Sequence, residues 1–381
     1  MVGVAGDWLA HHIVLCGETG TGKTVTALTI VHAAFSLGWR VIYLDAKADD
    51  QTRRRFEVVA TAAGQQVMSF PPDPIDGWRG GPDALLSRLM RGQEWSDGYY
   101  KSVARDVLFA AVNAPGADPI GDWPDLLARL DRTWLTTAWC TDEARSRHLA
   151  SILTHDLSGM AARYWGTASA LGADLGGNWS FEDPGLGAAY VALGSPGNTD
   201  TAVEMAAWVV EDVIHAITER LPAGGDTRPT LVVADEFSRV SERAGRGAVE
   251  AVERCRAFRC GWLIVGQDLS SLGDDDELPR ILGAAGTRIA HRLSSPQASC
   301  DLAGTVPVVE RTAQTDGLGS TGLGSTRRTE RYVIPPQAVR RLPDREAWVA
   351  GHGHAAHVRV VPPVALADHL ARERHGPKET P

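Results

Sequence analysis

Apolar residues along this chain fall into two rhythms. In the first, short runs are apolar almost without a break: His12–Cys16, Arg40–Asp45, Gln66–Phe70, Ala188–Leu193, Thr230–Asp235 and Gly261–Gln267. Such runs predict strands buried on both faces, as in a mainly parallel sheet. Thr287–Leu293 alternates and reads as a further strand. The second rhythm is helical. From Thr24 to Leu37, the residues Val25, Leu28, Val31, Ala34 and Phe35 share one face, and Gly38 stands where a C-terminal cap belongs. Between about Pro82 and Asp183 the β-branched runs vanish, and Asp83–Met90, Asp97–Val112, Trp123–Trp139 and Ala144–Trp165 read as amphipathic helices rich in Trp, Leu and Ala. The strand rhythm then resumes, broken by a long helix Thr199–Leu221 capped by Asn198 or Thr199, and by a helix Glu250–Phe258.

The expected organisation is an α/β domain interrupted by an all-α insertion. Residues 1–81 form its first part, 82–185 the insertion, 186–365 its second part and 366–381 a tail. Near the end, Gly317–Thr321 repeats at once as Gly322–Thr326, which reads as a flexible connector. Arg331–Ile334 is expected as a strand. Glu346–Ala350 and His357–Val361 are expected as a hairpin. His352, His354 and His357 have metal-compatible spacing, but a polar hairpin turn is the favoured reading. The same preference for solvated surface applies to Arg53-Arg54-Arg55 and to the acidic run Asp274–Glu277.

Composition narrows the class. A chain of 381 residues can bury a large core, and its formal charge of −9 advertises no global basic field. The five scattered cysteines include no CxxC pair, which suggests a reducing compartment. No signal-peptide pattern and no long uncharged apolar run are present. The expected location is therefore cytoplasmic.

The chemistry centres on Gly17–Thr24, GETGTGKT, which matches the G-x-x-x-x-G-K-S/T phosphate-binding loop between a predicted strand and a predicted helix. Gly17, Gly20 and Gly22 let the backbone curl so that successive N–H groups, including those of Glu18, Thr19 and Thr21, face phosphate oxygens. Lys23 would reach the β- and γ-phosphates of ATP, and Thr24 would hold Mg²⁺. Thr230–Glu236 is an apolar strand ending in two carboxylates, a Walker B pattern. Asp235 would contact the Mg²⁺ shell, and Glu236 would polarise the attacking water. Gln267 ends the next buried strand at the same sheet edge and can sense the γ-phosphate.

In this order the blocks resemble the motor domain of conjugative coupling proteins, the TraG/TraD class of type IV secretion ATPases within the FtsK/HerA superfamily. The resemblance rests on HHIVLCGETGTGKT, VIYLDAK, LVVADEF, ERCRAFRCGWLIVGQDLSSL, ILGAAGTRIAHRLSSPQASCDLAGT and YVIPPQAVRRLPDREAWVAGHG. It implies a RecA-like ATPase, a homo-hexameric ring that moves DNA through its centre by phosphate contacts, with a relaxase, a secretion channel or a membrane subunit as partners. It also implies an arginine donated by the neighbouring subunit to the transition state, for which Arg256 is the first candidate and Arg288 and Arg292 are reserves. Two departures stand out. Family members usually carry N-terminal transmembrane helices, and none is read here; the usual glycine after Asp-x-Lys is replaced by Ala48. An FtsK/HerA-like DNA-processing translocase, a protein-secretion ATPase and a regulatory switch are the alternatives.

Overall fold

The six unbroken runs and the alternating one form seven strands of one sheet: β1 (Ile13–Cys16), β2 (Arg40–Asp45), β3 (Val67–Phe70), β4 (Ala188–Ala192), β5 (Thr230–Asp235), β6 (Cys260–Gly266) and β7 (Thr287–Ala290). The computed structural model describes residues 6–375 except 92, 94, 96, 154–156, 173, 195–198, 221–227, 245–246, 317–318 and 352. Two more sheet strands, β10 (Glu346–Gly351) and β11 (His354–Arg359), follow a separate ribbon of β8 (Thr305–Asp316) and β9 (Gly319–Tyr332). The sheet order is β11-β10-β7-β1-β6-β5-β2-β4-β3. From β7 to β3 every pairing is parallel, and β10 closes the edge antiparallel to β7.

Burial on both faces explains the unbroken runs. Ile42 and Leu44 of β2 face one core and Val41 and Tyr43 the other. One side is covered by helices Lys23–Ser36, Asp50–Ala62 and Val364–His375, through residues such as Leu28, Phe56 and Leu366. On the opposite side lie helices from the 82–185 segment and from the second half of the chain, around Trp78, Trp123 and Trp208, whose rings are 4.9–6.0 Å apart. Every described element between β3 and β4 is a helix, apart from two isolated bridges, Ile75 with Trp179 and Asp76 with Gly176. Among the described residues no helix is long and apolar enough to cross a membrane.

Several expectations need correction. The predicted helix over 123–139 is two, Trp123–Arg129 and Arg132–Ala138. Asp131 stops the first by capping the second, its carboxylate accepting from Trp134 N at 2.9 Å. Likewise 144–165 divides into Glu143–Ile152 and Leu157–Leu171, with Asp142 capping the former. The cap expected at Asn198 lies outside the described residues, and the long helix runs from Thr199 to Arg220. The described part of the Gly-Leu-Gly-Ser-Thr repeat, residues 319–326, is no flexible connector: it belongs to β9, paired with β8 in a register that sets Arg311 opposite Thr326 and Ala313 opposite Gly324, while residues 317–318 lie outside the described residues. The strand expected at Arg331–Ile334 is the end of β9, which stops at Tyr332. His354 and His357 lie in β11, an odd separation that points them to opposite faces of the sheet. His357 pairs with Glu346 at 2.9 Å and stacks on Trp348. His352 lies outside the described residues, and no metal-holding group exists among those described.

Candidate functional site

The loop after β1 is pinned from three sides. Gly17 N donates to Gln267 O at 3.1 Å, beyond β6, and Glu18 N donates to Arg292 O at 3.0 Å, beyond β7. The third side is a tether from Arg345, whose N donates to Thr21 O at 2.8 Å. Thr21 is buried and closes the loop from within, its hydroxyl donating to Glu18 O at 2.8 Å. Glycine is required where backbone and neighbours leave no choice. Gly22 has φ 106°, and a Cβ there would lie 3.3 Å from Arg345 Cα. A Cβ on Gly17 would meet His291 Cβ at 2.6 Å. Helix Lys23–Ser36 then starts at the loop's end, adding its N–H groups and dipole.

Lys23 folds back over this cradle, donating to Gly17 O at 2.5 Å and Glu18 O at 3.0 Å. Burial pushes its ammonium below the ordinary lysine range; Glu236 draws it back up, and Lys47 adds to the lowering. Beneath the loop, His291 is fully buried with Nε2 2.8 Å from Thr26 Oγ1, and desolvation pushes its imidazole down to about 4. Cys16, also buried, has its thiol pushed up to about 12, so it is an inert packing residue.

The carboxylates arrive on β5. Asp235 ends the strand, and its Oδ2 accepts from Tyr43 OH at 2.9 Å. Burial raises its carboxyl, opposed by that hydrogen bond. Glu236 follows at φ 57°, a left-handed turn that brings its carboxylate onto the ammonium of Lys47 in a short ion pair. Asp45, beside Asp235 in the β2–β5 register, organises the loop bearing Lys47: it accepts from Lys47 N and Asp49 N at 2.8 Å each, and from Tyr190 OH.

These groups line one cavity of about 610 Å³. Its walls include Thr19, Gly20, Gly22, Lys23, Thr24, Lys47, Asp235 and Glu236. Helix Asp50–Ala62 adds Gln51, Thr52 and Arg55, the turn before β10 adds Asp344 and Arg345, and helix Val364–His375 adds Leu370 and Glu373. Volume and lining suit a nucleotide-sized polyanion, with backbone N–H groups and two lysines at one end. The hydroxyl of Thr24 and the carboxylate of Asp235 are the hard oxygen donors that Mg²⁺ prefers.

Of the sequence candidates, Gly20, Gly22, Thr19, Lys23, Thr24, Asp235 and Glu236 are brought together on this cavity; Gly17, Glu18 and Thr21 belong to the same loop but do not line it, and their backbone bonds hold the loop in place. The side chain of Gln267 is exposed and is not on the cavity wall; its carbonyl carries the link to Gly17. Arg256 opens a 3₁₀ turn, Arg256–Phe258, and its side chain lies outside the described residues. Arg288 donates to Leu282 O, and Arg292 is held by Asp344 at 2.9 Å beside Glu18. Sequence reading missed Lys47, Arg345, Arg55 and Glu373 as site residues. Only Lys47 had a signal, its place at a strand's carboxyl end.

No protein-family model and no curated protein sequence matches this chain. Solved structures do. The bacterial conjugative coupling protein TrwBΔN70, unbound, is similar with TM-score 0.62 and 16% identity, covering 93% of this chain and 86% of that one. TrwB in complex with ADP and Mg²⁺ has TM-score 0.62 and 16% identity over 95% and 87% of the two chains. VirB4 of Thermoanaerobacter pseudethanolicus has TM-score 0.59 and 12% identity over 93% and 91%. The chain has the RecA-like P-loop fold of these proteins.

Proposed function

We propose that this protein is an ATP-hydrolysing motor that translocates DNA, a coupling-protein-like ATPase of conjugative transfer and type IV secretion. The observation that carries this reading is the convergence of Lys23 and Thr24 with Asp235 and Glu236 on one nucleotide-sized cavity. It is supported by the likeness to TrwB, which has been solved with ADP and Mg²⁺ and with a non-hydrolysable ATP analogue. The loop N–H groups and Lys23 bind the phosphates. Thr24 and Asp235 would hold Mg²⁺, which supplies charge neutralisation at the β- and γ-oxygens. Glu236 orients a water and accepts its proton.

The motor acts as a hexamer, with a relaxase and a secretion channel or membrane subunit as partners, at the inner face of the membrane. Arg256 reaches the nucleotide of the neighbouring subunit.

The test is ATP turnover with and without single- and double-stranded DNA, at low and physiological salt. Lys23→Ala serves as blank, and Glu236→Gln is expected to keep nucleotide binding and stop turnover. A several-fold, salt-sensitive rise with DNA is expected. Turnover indifferent to DNA would instead favour a protein-handling ATPase, the reading that the net charge of −9 favours.

A further inference from the structure

Lys47 occupies an unusual place for a residue outside the phosphate loop. Its ammonium shares the cavity with Lys23, Asp235 and Glu236, and its partner is Glu236, the residue that must accept a proton from water. The two ends of this pair differ: Lys47 is 46% exposed and Glu236 only 7%. Glu236 is thus a carboxylate taken out of water and compensated by a cation that remains half in it. An ion pair with one member half in water is screened more than one buried at both ends. It can be exchanged for a better partner at small cost.

The loop that presents Lys47 is built. Asp45 accepts from the backbone N–H groups of both Lys47 and Asp49, and Tyr190 holds the same carboxylate. Ala48 is turned to φ 53° and packs against Gly194, where an added Cβ would approach Ala48 Cβ to 2.9 Å. A residue with only a solvated role would not need such support. Its consequence is that the ammonium projects across the cavity towards the Walker B carboxylates.

While Lys47 holds Oε1 of Glu236, that oxygen cannot take a proton from water and the carboxylate is not free to turn towards one. A lysine ammonium has three donors on a flexible stem, and a terminal phosphate offers more negative charge and more acceptors than one carboxylate. We propose that Lys47 is a γ-phosphate sensor: it leaves Glu236 for the terminal phosphate of a bound nucleoside triphosphate, and so frees Glu236 to act. This rests on the ATPase reading above. A diphosphate offers no terminal group at that place, so Lys47 stays on Glu236 and the base stays masked. Asp45 is the positioning residue of this device.

The experiment measures binding of Mg²⁺–AMPPNP and Mg²⁺–ADP by calorimetry to the full chain, its Lys47→Met, Glu236→Gln and Lys23→Ala variants, and the Lys47→Met/Glu236→Gln double variant. Lys47→Met should weaken AMPPNP about tenfold and leave ADP within about twofold, which also reports an intact fold. Glu236→Gln should tighten AMPPNP several-fold, because Lys47 no longer has a partner to leave, and that gain should vanish in the double variant. Equal losses for both nucleotides, unchanged AMPPNP binding in Lys47→Met, or a gain in Glu236→Gln that survives loss of Lys47 would each overturn the proposal. If the unaltered chain binds neither nucleotide, or Lys23→Ala binds both as well as it does, the ATPase reading fails and this inference with it. A result confined to Lys47 leaves that reading standing.

Discussion

His291 is the residue on which the phosphate loop rests, and it carries a hidden charge. Its ring is buried between Gly17 and Thr26, and its folded pKa is about 4 against an ordinary 6.5. Between those two values the unfolded chain binds the proton and the folded one does not, so stability falls as pH drops through this window. The full difference is worth about 3 kcal/mol. In urea unfolding at pH 7 and pH 4.5, the unaltered chain should therefore lose more stability than His291→Gln. Equal pH dependence in the two would remove the histidine as the cause. Residues of the loop itself were legible in the sequence because the motif encodes local backbone needs: φ 81° at Gly20 and 106° at Gly22 are what those glycines are for. His291 and Arg345 were not legible, because each touches the loop from more than two hundred residues away.

At the scale of elements, helix Val364–His375 stands out as a wall of the site that reads in sequence only as a short charged helix leading into a frayed tail. Leu366 is fully buried against the core that also holds Phe56. Leu370 and Glu373 line the cavity, and Glu373 holds Arg55 through bonds of 2.6–3.3 Å. Leu366→Ala should cost about 2–4 kcal/mol of stability and weaken nucleotide binding as well. Nucleotide should in turn slow hydrogen exchange in this helix; exchange unaffected by nucleotide would detach the helix from the site. The reason the sequence hides it is topological. β10 runs antiparallel to β7, so its first residues lie at the carboxyl edge where the parallel strands end. Asp344 and Arg345 arrive there by pairing, which no local pattern announces. The β8–β9 ribbon was hidden differently: glycine-rich β9 lacks alternation and becomes a strand only through its partner.

For the whole molecule, the sheet order constrains what one subunit can do. β6 lies between β1 and β5, its carboxyl end against the phosphate loop through Gln267. Arg256 precedes the other end of this seven-residue strand, roughly 20 Å away at about 3.3 Å per residue. Its backbone therefore lies at the wrong edge to serve its own nucleotide, which is the placement that the proposed role at a neighbour's site requires. In mixtures of unaltered and Arg256→Ala subunits, turnover should fall more steeply than the altered fraction. A merely proportionate fall would end the assignment.

The ribbon has a consequence for how the chain would survive being cut. Among the described residues, two strands of 12 and 14 residues pair with each other and with no third strand, and an isolated two-stranded ribbon is marginally stable in water. It is thus the natural place for a protease to open the backbone. Everything after it is woven back in: β10 hydrogen-bonds to β7, Arg345 tethers the phosphate loop, and the last helix buries Leu366. A protein nicked in the ribbon should therefore remain one particle, two polypeptides closed by the sheet, each still contributing its share of the cavity's lining.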